Sequence, residues 1–227
     1  MRLLLAAVAL LSLLCVGHSA PMPNCENLIQ KIDIESRDVL LGRWIYAAES
    51  TTIPGTAMLT KLLIDSVIVH AIPLVDNNSV QFTQIQRMFG RCASFSSTLT
   101  VVNNTMQMIK PYVASEVLLT TSCPDCLVIL GNFTLGSRYF QSLQLLSKRR
   151  VLSTAELEEF KKQAECLNLP APHALDPQKE LCPEQQTSGT TDLTSEVDAK
   201  VIGVLDSVIS SPGGLEGFFN KLLGKRH

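Results

Sequence analysis

The chain is short of charge and of any imbalance in it: only 18% of its 227 residues are Asp, Glu, Lys or Arg, and the formal net charge is −2. Without a basic excess there is no field for gripping a phosphate polymer, which argues against a nucleic-acid partner. Histidine is scarce as well. The three beyond the N-terminal segment, His70, His173 and His227, are scattered, and Cys123-Pro124-Asp125-Cys126 has no second Cys-x-x-Cys to complement it. That leaves no metal-ligand spacing, and no metal or cofactor is expected. After the N-terminus no apolar stretch is long and unbroken enough to cross a bilayer as a helix. What the chain has in quantity is hydrophobic residues, 46%, which rules out disorder throughout and calls for a packed globular body.

The N-terminus has a different purpose. Arg2 followed by the apolar run Leu3 to Val16, with small residues at Gly17 and Ser19, has the build of a secretory signal peptide over residues 1–19. The chain is therefore expected to be secreted and extracellular. Of seven cysteines, Cys15 leaves with the signal, and the remaining six, an even number in an oxidising compartment, imply three disulfides. Complete pairing also removes any free thiol as a nucleophile, so no catalytic residue is assigned and the chain is read as non-enzymatic. Sequons at Asn77, Asn103 and Asn132 lie between apolar runs and are expected to be glycosylated turns.

Residues 20–184 form the body, 185–191 a polar linker and 192–227 a helical tail. Within the body, eight short runs rich in Val, Ile, Leu, Thr and Phe alternate with turn signals: 43–49, 64–75, 80–89, 92–102, 106–110, 116–121, 127–130 and 139–146. Ala93, Phe95, Ser97, Leu99 and Val101 recur with period two, as do Tyr139, Gln141, Leu143 and Leu145. Next comes a helix opened by the capping box Ser153-Thr154-Ala155-Glu156, with Leu157, Phe160, Ala164 and Leu167 on one stripe. Strands in order and then one helix predict a mainly-β fold, an eight-stranded antiparallel up-and-down barrel with a flanking α-helix and a C-terminal helical tail. Closure is the arrangement that leaves no unpaired edge, and eight strands leave room for one small ligand.

Several of these residues resemble a known family. Gly42-Arg43-Trp44 at the first strand is similar to the Gly-x-Trp signature of lipocalins. Its distance from Cys25, with Gly90-Arg91-Cys92, Ser122-Cys123-Pro124, Glu158-Glu159-Phe160 ahead of Cys166, and Glu180-Leu181-Cys182, resembles the orosomucoid (alpha-1-acid glycoprotein) and apolipoprotein M branch over residues 25–184. That branch includes fish toxin-binding plasma lipocalins. The resemblance implies a secreted carrier of small hydrophobic or amphiphilic molecules. It implies Cys25 paired with Cys166 and Cys92 with Cys182. Cys123 departs from apolipoprotein M, whose matching cysteine pairs near the helix start, where this chain has Leu157. A local Cys123–Cys126 bridge is then expected. The family places Trp44, beside Gly42, on the barrel floor under a basic side chain from the end of the last strand. Among Lys148, Arg149 and Arg150, Arg149 is the expected partner.

Strand alternation nominates Phe82, Phe95, Leu99, Met108, Val117, Leu119 and Tyr139 as ligand-facing, although a single bulge reverses parity. Apolipoprotein M places basic and aromatic side chains just after the cysteine matching Cys92. Here Ala93 to Ser97 carries neither Arg nor Trp, which argues against a phosphorylated ligand unless Lys110 or Arg87 supplies a cation. A neutral or weakly basic lipophilic molecule suits this lining better.

The tail lies outside the resemblance. Leu193, Val197, Val201, Val204, Leu205, Val208 and Ile209 recur at helical spacing, Ser211-Pro212-Gly213-Gly214 interrupts, and Leu215, Phe218, Phe219, Leu222 and Leu223 form a second stripe with Lys221, Lys225 and Arg226 near its end. The stripes fold back onto the barrel wall or each other, the basic amphipathic end lies on a lipoprotein or membrane surface, or the tail self-associates. The second option is the core of an alternative function, a lipid-surface or immune-modulating glycoprotein acting through its tail.

Overall fold

A computed structural model describes residues 24–110, 112–135, 138–183, 190–192, 194, 199–211, 214 and 217. The expected signal peptide, most of the linker and all of the second tail stripe lie outside the described residues. The β-branched and alternating runs form eight antiparallel strands: β1 (Gly42–Thr51), β2 (Ile64–Pro73), β3 (Ser79–Met88), β4 (Arg91–Val102), β5 (Thr105–Met108), β6 (Val113–Leu119), β7 (Cys126–Leu135) and β8 (Arg138–Ser147). Each pairs with its successor. β8 then returns to β1, from Ile45 opposite Ser147 to Thr51 opposite Ser142, closing the barrel. Asn103 and Asn104, both at positive φ, turn β4 into β5, a conformation asparagine tolerates better than most residues.

The barrel departs from a plain cylinder in two places. β1 pairs with β2 only from Gly42 to Ile45, and an extra residue at Ala47 breaks its register with β8. Beyond the bulge, the two-residue strand β9 (His173–Ala174) takes the place of β2, with Glu49 opposite His173. In addition, β5 is short and covers only Thr100 to Val102 of β4. The edge this leaves at Cys92 to Ser94 is paired by a parallel strand, β10 (Thr190–Asp192), which begins inside the expected linker. The Thr194 hydroxyl extends that cover by accepting from the Ser96 amide at 3.0 Å. An open edge invites pairing with other chains, and these segments remove it.

Among the described residues, four α-helices accompany the strands: α1 (Cys25–Leu28), α2 (Thr56–Leu63), α3 (Thr154–Cys166) and α4 (Ala199–Ser210). The α3 capping box is formed in full, with Ser153 and Glu156 exchanging side-chain and backbone hydrogen bonds. Its stripe, Leu157, Phe160, Ala164 and Leu167, packs on the outside of the barrel against Leu119, Val128, Leu130, Leu143 and Leu145. Gln163, fully buried in α3, donates to the carbonyls of Leu28 at 2.8 Å and Thr120 at 2.7 Å. Disulfides join Cys25 to Cys166, Cys92 to Cys182 and Cys123 to Cys126. The first ties the N-terminal segment to α3, and the second fastens the strap after α3 to β4. No helix of the described residues is long and apolar enough to cross a membrane.

Candidate ligand-binding site

The barrel interior is assembled from one residue in two on each strand. At the floor, Trp44 is buried with Leu40, Ala71, Val80, Leu99, Met106, Leu118, Leu127 and Leu146. Its indole N–H donates to the Leu40 carbonyl at 2.8 Å. The cation on its ring is Lys148, with Nζ 3.4 Å from the ring centroid, and not Arg149. Lys148 also donates to the Leu41 carbonyl at 3.0 Å. Gly42 has φ +102°, and a Cβ there would stand 2.9 Å from Lys148 Nζ, so the glycine of the Gly-x-Trp motif leaves the space through which the lysine reaches the ring. Arg149 points to the other face of β8. It pairs with Asp125 at 2.8 Å and Glu156 at 2.5 Å, joining the Cys123–Cys126 turn to the start of α3. Those hydrogen bonds, Arg149 first and then the Ser153 amide and hydroxyl, pull the Glu156 carboxyl down to about 2.

Above the floor is a cavity of about 50 Å³ lined by Tyr46, Val69, Phe82, Gln84, Phe95, Ser97, Leu99, Met108, Tyr112, Glu116, Ile129, Gln144 and Leu146. Four of the seven nominated residues, Phe82, Phe95, Leu99 and Met108, line it. Three do not. Val117 and Leu119 face outward into the cluster under α3, and Tyr139 is 66% exposed on the outer face of β8. The error has a physical cause: α3 covers the outside of β6, β7 and β8, so both faces of these strands are apolar and hydrophobicity alone does not separate inside from outside. On β6 the inward parity runs through Ala114, Glu116 and Leu118, not through Val117 and Leu119.

That glutamate, Glu116, is the main feature of the site that strand alternation missed. It lies opposite Met106 on β5 and Gly131 on β7, inside the barrel. Gly131 accommodates it, since a Cβ at this glycine would come 3.3 Å from Ser142 Oγ and 3.4 Å from Glu116 Cγ. Burial raises the Glu116 carboxyl to about 7. A second carboxylate, Glu49, lies on the same strand as Tyr46 and is raised to about 6, again by burial, against a hydrogen bond from the Tyr46 hydroxyl that lowers it. Tyr46 and Tyr112 are both raised, chiefly by burial and also by the neighbouring carboxylates.

Glu49 lines a second hollow, about 170 Å³, between the end of β1, α2 and the strap around β9. Tyr46 is a wall of both hollows. Neither contains a lysine or arginine among its lining residues, and only His173 adds a titratable base, at the second. Lys110 is exposed outside the cavity, and Arg87 pairs with Glu180 at 2.7 Å.

The mouth is closed by Leu135 and Phe140, with Tyr112, Phe133, Ile53 and Leu59 of α2 packed around them. The aromatic rings meet in series, Tyr112 tilted against Phe133 and Phe133 stacked on Phe140, each pair 5.8 Å between centroids. Ile209 of α4 is 4% exposed in this cluster, beside Val208, so the described part of the tail lies back on the barrel. Of the sequon asparagines, Asn77 and Asn103 are exposed turn residues. Asn132 instead lies within β7, where its side-chain oxygen accepts from Gln141 Nε2 at 3.1 Å. Among the described residues, the one grouping of potential metal ligands, Cys123, Asp125 and Cys126, has both sulfurs in a disulfide.

No family model and no curated protein matches the sequence. Solved structures do. Lipocalin 12 from rat epididymis superposes with a TM-score of 0.60 at 16% identity, covering 74% of this chain and 98% of its own. The siderocalin Ex-FABP, described as having dual ligand specificities, gives 0.55 at 14% identity, with 68% and 99% covered. Siderocalin Q83, described as having a dual ligand binding mode, gives 0.55 at 15%, with 65% and 96% covered. At such identities the likeness is one of fold, and the fold of this chain is the lipocalin barrel.

Proposed function

We propose that this chain is a secreted, non-enzymatic carrier that holds one small hydrophobic or amphiphilic molecule in its barrel, in the manner of the orosomucoid and apolipoprotein M branch. The observation that carries this reading is a closed barrel whose interior retains a cavity walled by Phe82, Phe95, Leu99 and Met108. The signal-like N-terminus and the six-cysteine framework support export. At about 50 Å³ the cavity holds a few waters at most, so a ligand has to displace them and move lining side chains. Met108 is well placed for that, since its unbranched thioether side chain rearranges at small cost. Asn77 and Asn103 are the sequons best presented for glycosylation.

Native mass spectrometry of the secreted protein, followed by Trp44 fluorescence titration with a lipophilic panel, tests the reading. A co-purifying molecule or saturable binding supports it. A protein that carries nothing and responds to nothing refutes it. A tail-based function on lipid surfaces is the second reading, favoured by the apolar stripe and basic end of residues 215–226. Deleting residues 185–227 separates the two: small-molecule binding persists under the first, and liposome association disappears under the second.

A further inference from the structure

We infer that the mouth of the barrel is a docking surface for an anionic lipid bilayer, contacted through the connections around the opening and not through the tail stripe. Four connections lie at this end: the segment between β1 and β2 that contains α2, the β3–β4 hairpin at Phe89 and Gly90, the β5–β6 loop, and the β7–β8 hairpin. Each presents large apolar side chains to water: Leu62 on α2, Phe89, Ile109 with Val113, and Tyr139 just after the last turn. Phe89 and Ile109 are 74% and 76% exposed. Exposed apolar residues scattered singly are ordinary, but five around one rim call for a partner.

Charge selects that partner. Each of the same connections carries one exposed cation, Lys61, Arg91, Lys110 and Arg138, while residues 52–63, 88–91, 109–113 and 136–139 contain no Asp or Glu. None of the four cations is in an ion pair with a described residue. α4, which covers part of the opening, adds one charge of each sign, Lys200 and Asp206. In a chain of net charge −2 this end is therefore locally positive and studded with aliphatic and aromatic groups, the make-up of a surface that settles into an anionic headgroup layer.

Phe89 is an independent sign. It has φ +50° in a two-residue turn with Gly90 at +73°, where asparagine or glycine is unstrained and a bulky aromatic is not. A strained residue whose ring stays in water contributes little to the fold, and strain held at such a tip points to use in binding. The other end of the barrel is built differently. The exposed sequon asparagines, Asn77 and Asn103, are in the β2–β3 and β4–β5 turns at the floor, so glycans there leave the mouth free. Together with the carrier reading, this orientation lets a lipophilic cargo pass between bilayer and barrel without crossing open water; the docking itself does not depend on that reading.

The test is flotation of the full-length secreted protein with vesicles of phosphatidylcholine alone and of phosphatidylcholine with about 30% phosphatidylserine. The anionic vesicles are expected to bind at least about tenfold more tightly at about 0.1 M salt, with the preference fading toward about 1 M as the Debye length falls from about 10 to about 3 Å. Lys110→Glu combined with Arg138→Glu lowers that affinity at least about tenfold, since each basic residue near the surface contributes about fivefold. Lys31→Glu combined with Lys162→Glu, on exposed positions at the floor end and on α3, makes the same change in net charge and stays within about threefold of the parent. Phe89→Asn lowers the affinity about tenfold, while urea unfolding finds it at least as stable as the parent because asparagine accepts the left-handed turn. Equal binding to both vesicles, or binding to neither, overturns the inference. So does an equal loss in the two charge-reversal pairs, which makes net charge the cause, or binding that the mouth variants leave intact, which puts the lipid contact elsewhere in the chain. None of these results bears on ligand uptake, so the carrier reading stands or falls by its own test.

Discussion

The ligand-free protein should be more stable in mild acid than at neutral pH, and Glu116→Gln should abolish most of that difference. The sign follows from the direction of the shift. Glu116 is raised from 4.5 to about 7 on folding, so its stabilising contribution is full below the unfolded value, where both states hold the proton, and is lost as pH rises through the folded value. At 1.36 kcal/mol per pK unit, the loss across that window is about 3 kcal/mol, and Glu49, raised to about 6, adds about 2 kcal/mol over a lower window. Tyr46 and Tyr112 are raised and stay protonated throughout. His173, across from Glu49 on β9, is lowered by burial and then by Lys61, so its contribution runs the other way. A comparison of parent and variant at one pH cancels it. Urea unfolding followed by circular dichroism should therefore find the two within about 1 kcal/mol of each other near pH 4.5, and the glutamine variant more stable by about 3 kcal/mol near pH 8. Equal stability near pH 8 would refute the reasoning, because it would mean that the carboxylate is fully solvated and that the barrel imposes no charge penalty.

Four further outcomes are expected. Lys148→Met removes the cation over Trp44, changes its emission and costs about 0.5–2 kcal/mol, whereas Arg149→Met leaves the emission unchanged. Replacing Cys25 and Cys166 together by alanine, which opens a loop of 141 residues, costs about 5 kcal/mol in chain entropy, against about 2 kcal/mol for Cys123 and Cys126; denaturant titration of the two double variants ranks them. Ser153→Ala breaks the capping box of α3 and lowers stability by about 1 kcal/mol in the same assay. Ile209→Asp forces a charge into the cluster at the barrel mouth, and dye binding to the exposed Phe140 and Leu135 should rise while the barrel strands keep their circular dichroism.

Those outcomes depend on features that the sequence displays unequally. The eight strands are legible as β-branched and alternating runs, most of them bounded by turn residues, and α3 because its capping box and apolar stripe coincide. The eight-residue helix α2 is not, since Thr56 to Leu63 runs directly into β2 without a breaker and reads as part of the loop. Trp44 is legible through its motif, but its cation is not. Three consecutive basic residues follow β8, and only the register of Ser147 opposite Ile45 and Cys126 decides that Lys148 turns to the floor and Arg149 to the α3 side. Asn132 reads as a turn because its sequon lies between apolar runs, yet it sits within β7, next to a glycine at an inward position opposite Glu116.

Glu116 shows why the candidate site was harder to read than the barrel. Binary patterning works where water covers one face of a sheet, as on β3 and β4, and there Phe82, Phe95 and Leu99 were placed inside. Where α3 takes the place of water, the outer face must also be apolar, and the polar minority on the strand is then the inner face. On β6 the alternation of Ala114, Glu116 and Leu118 with Ser115, Val117 and Leu119 carries equal apolar content on both sides, so period two offers no sign. The informative feature is the pairing of a glutamate with a glycine across β6 and β7. In a sheet wall covered by a helix, a charge directly opposite a residue with no side chain marks space on the concave side.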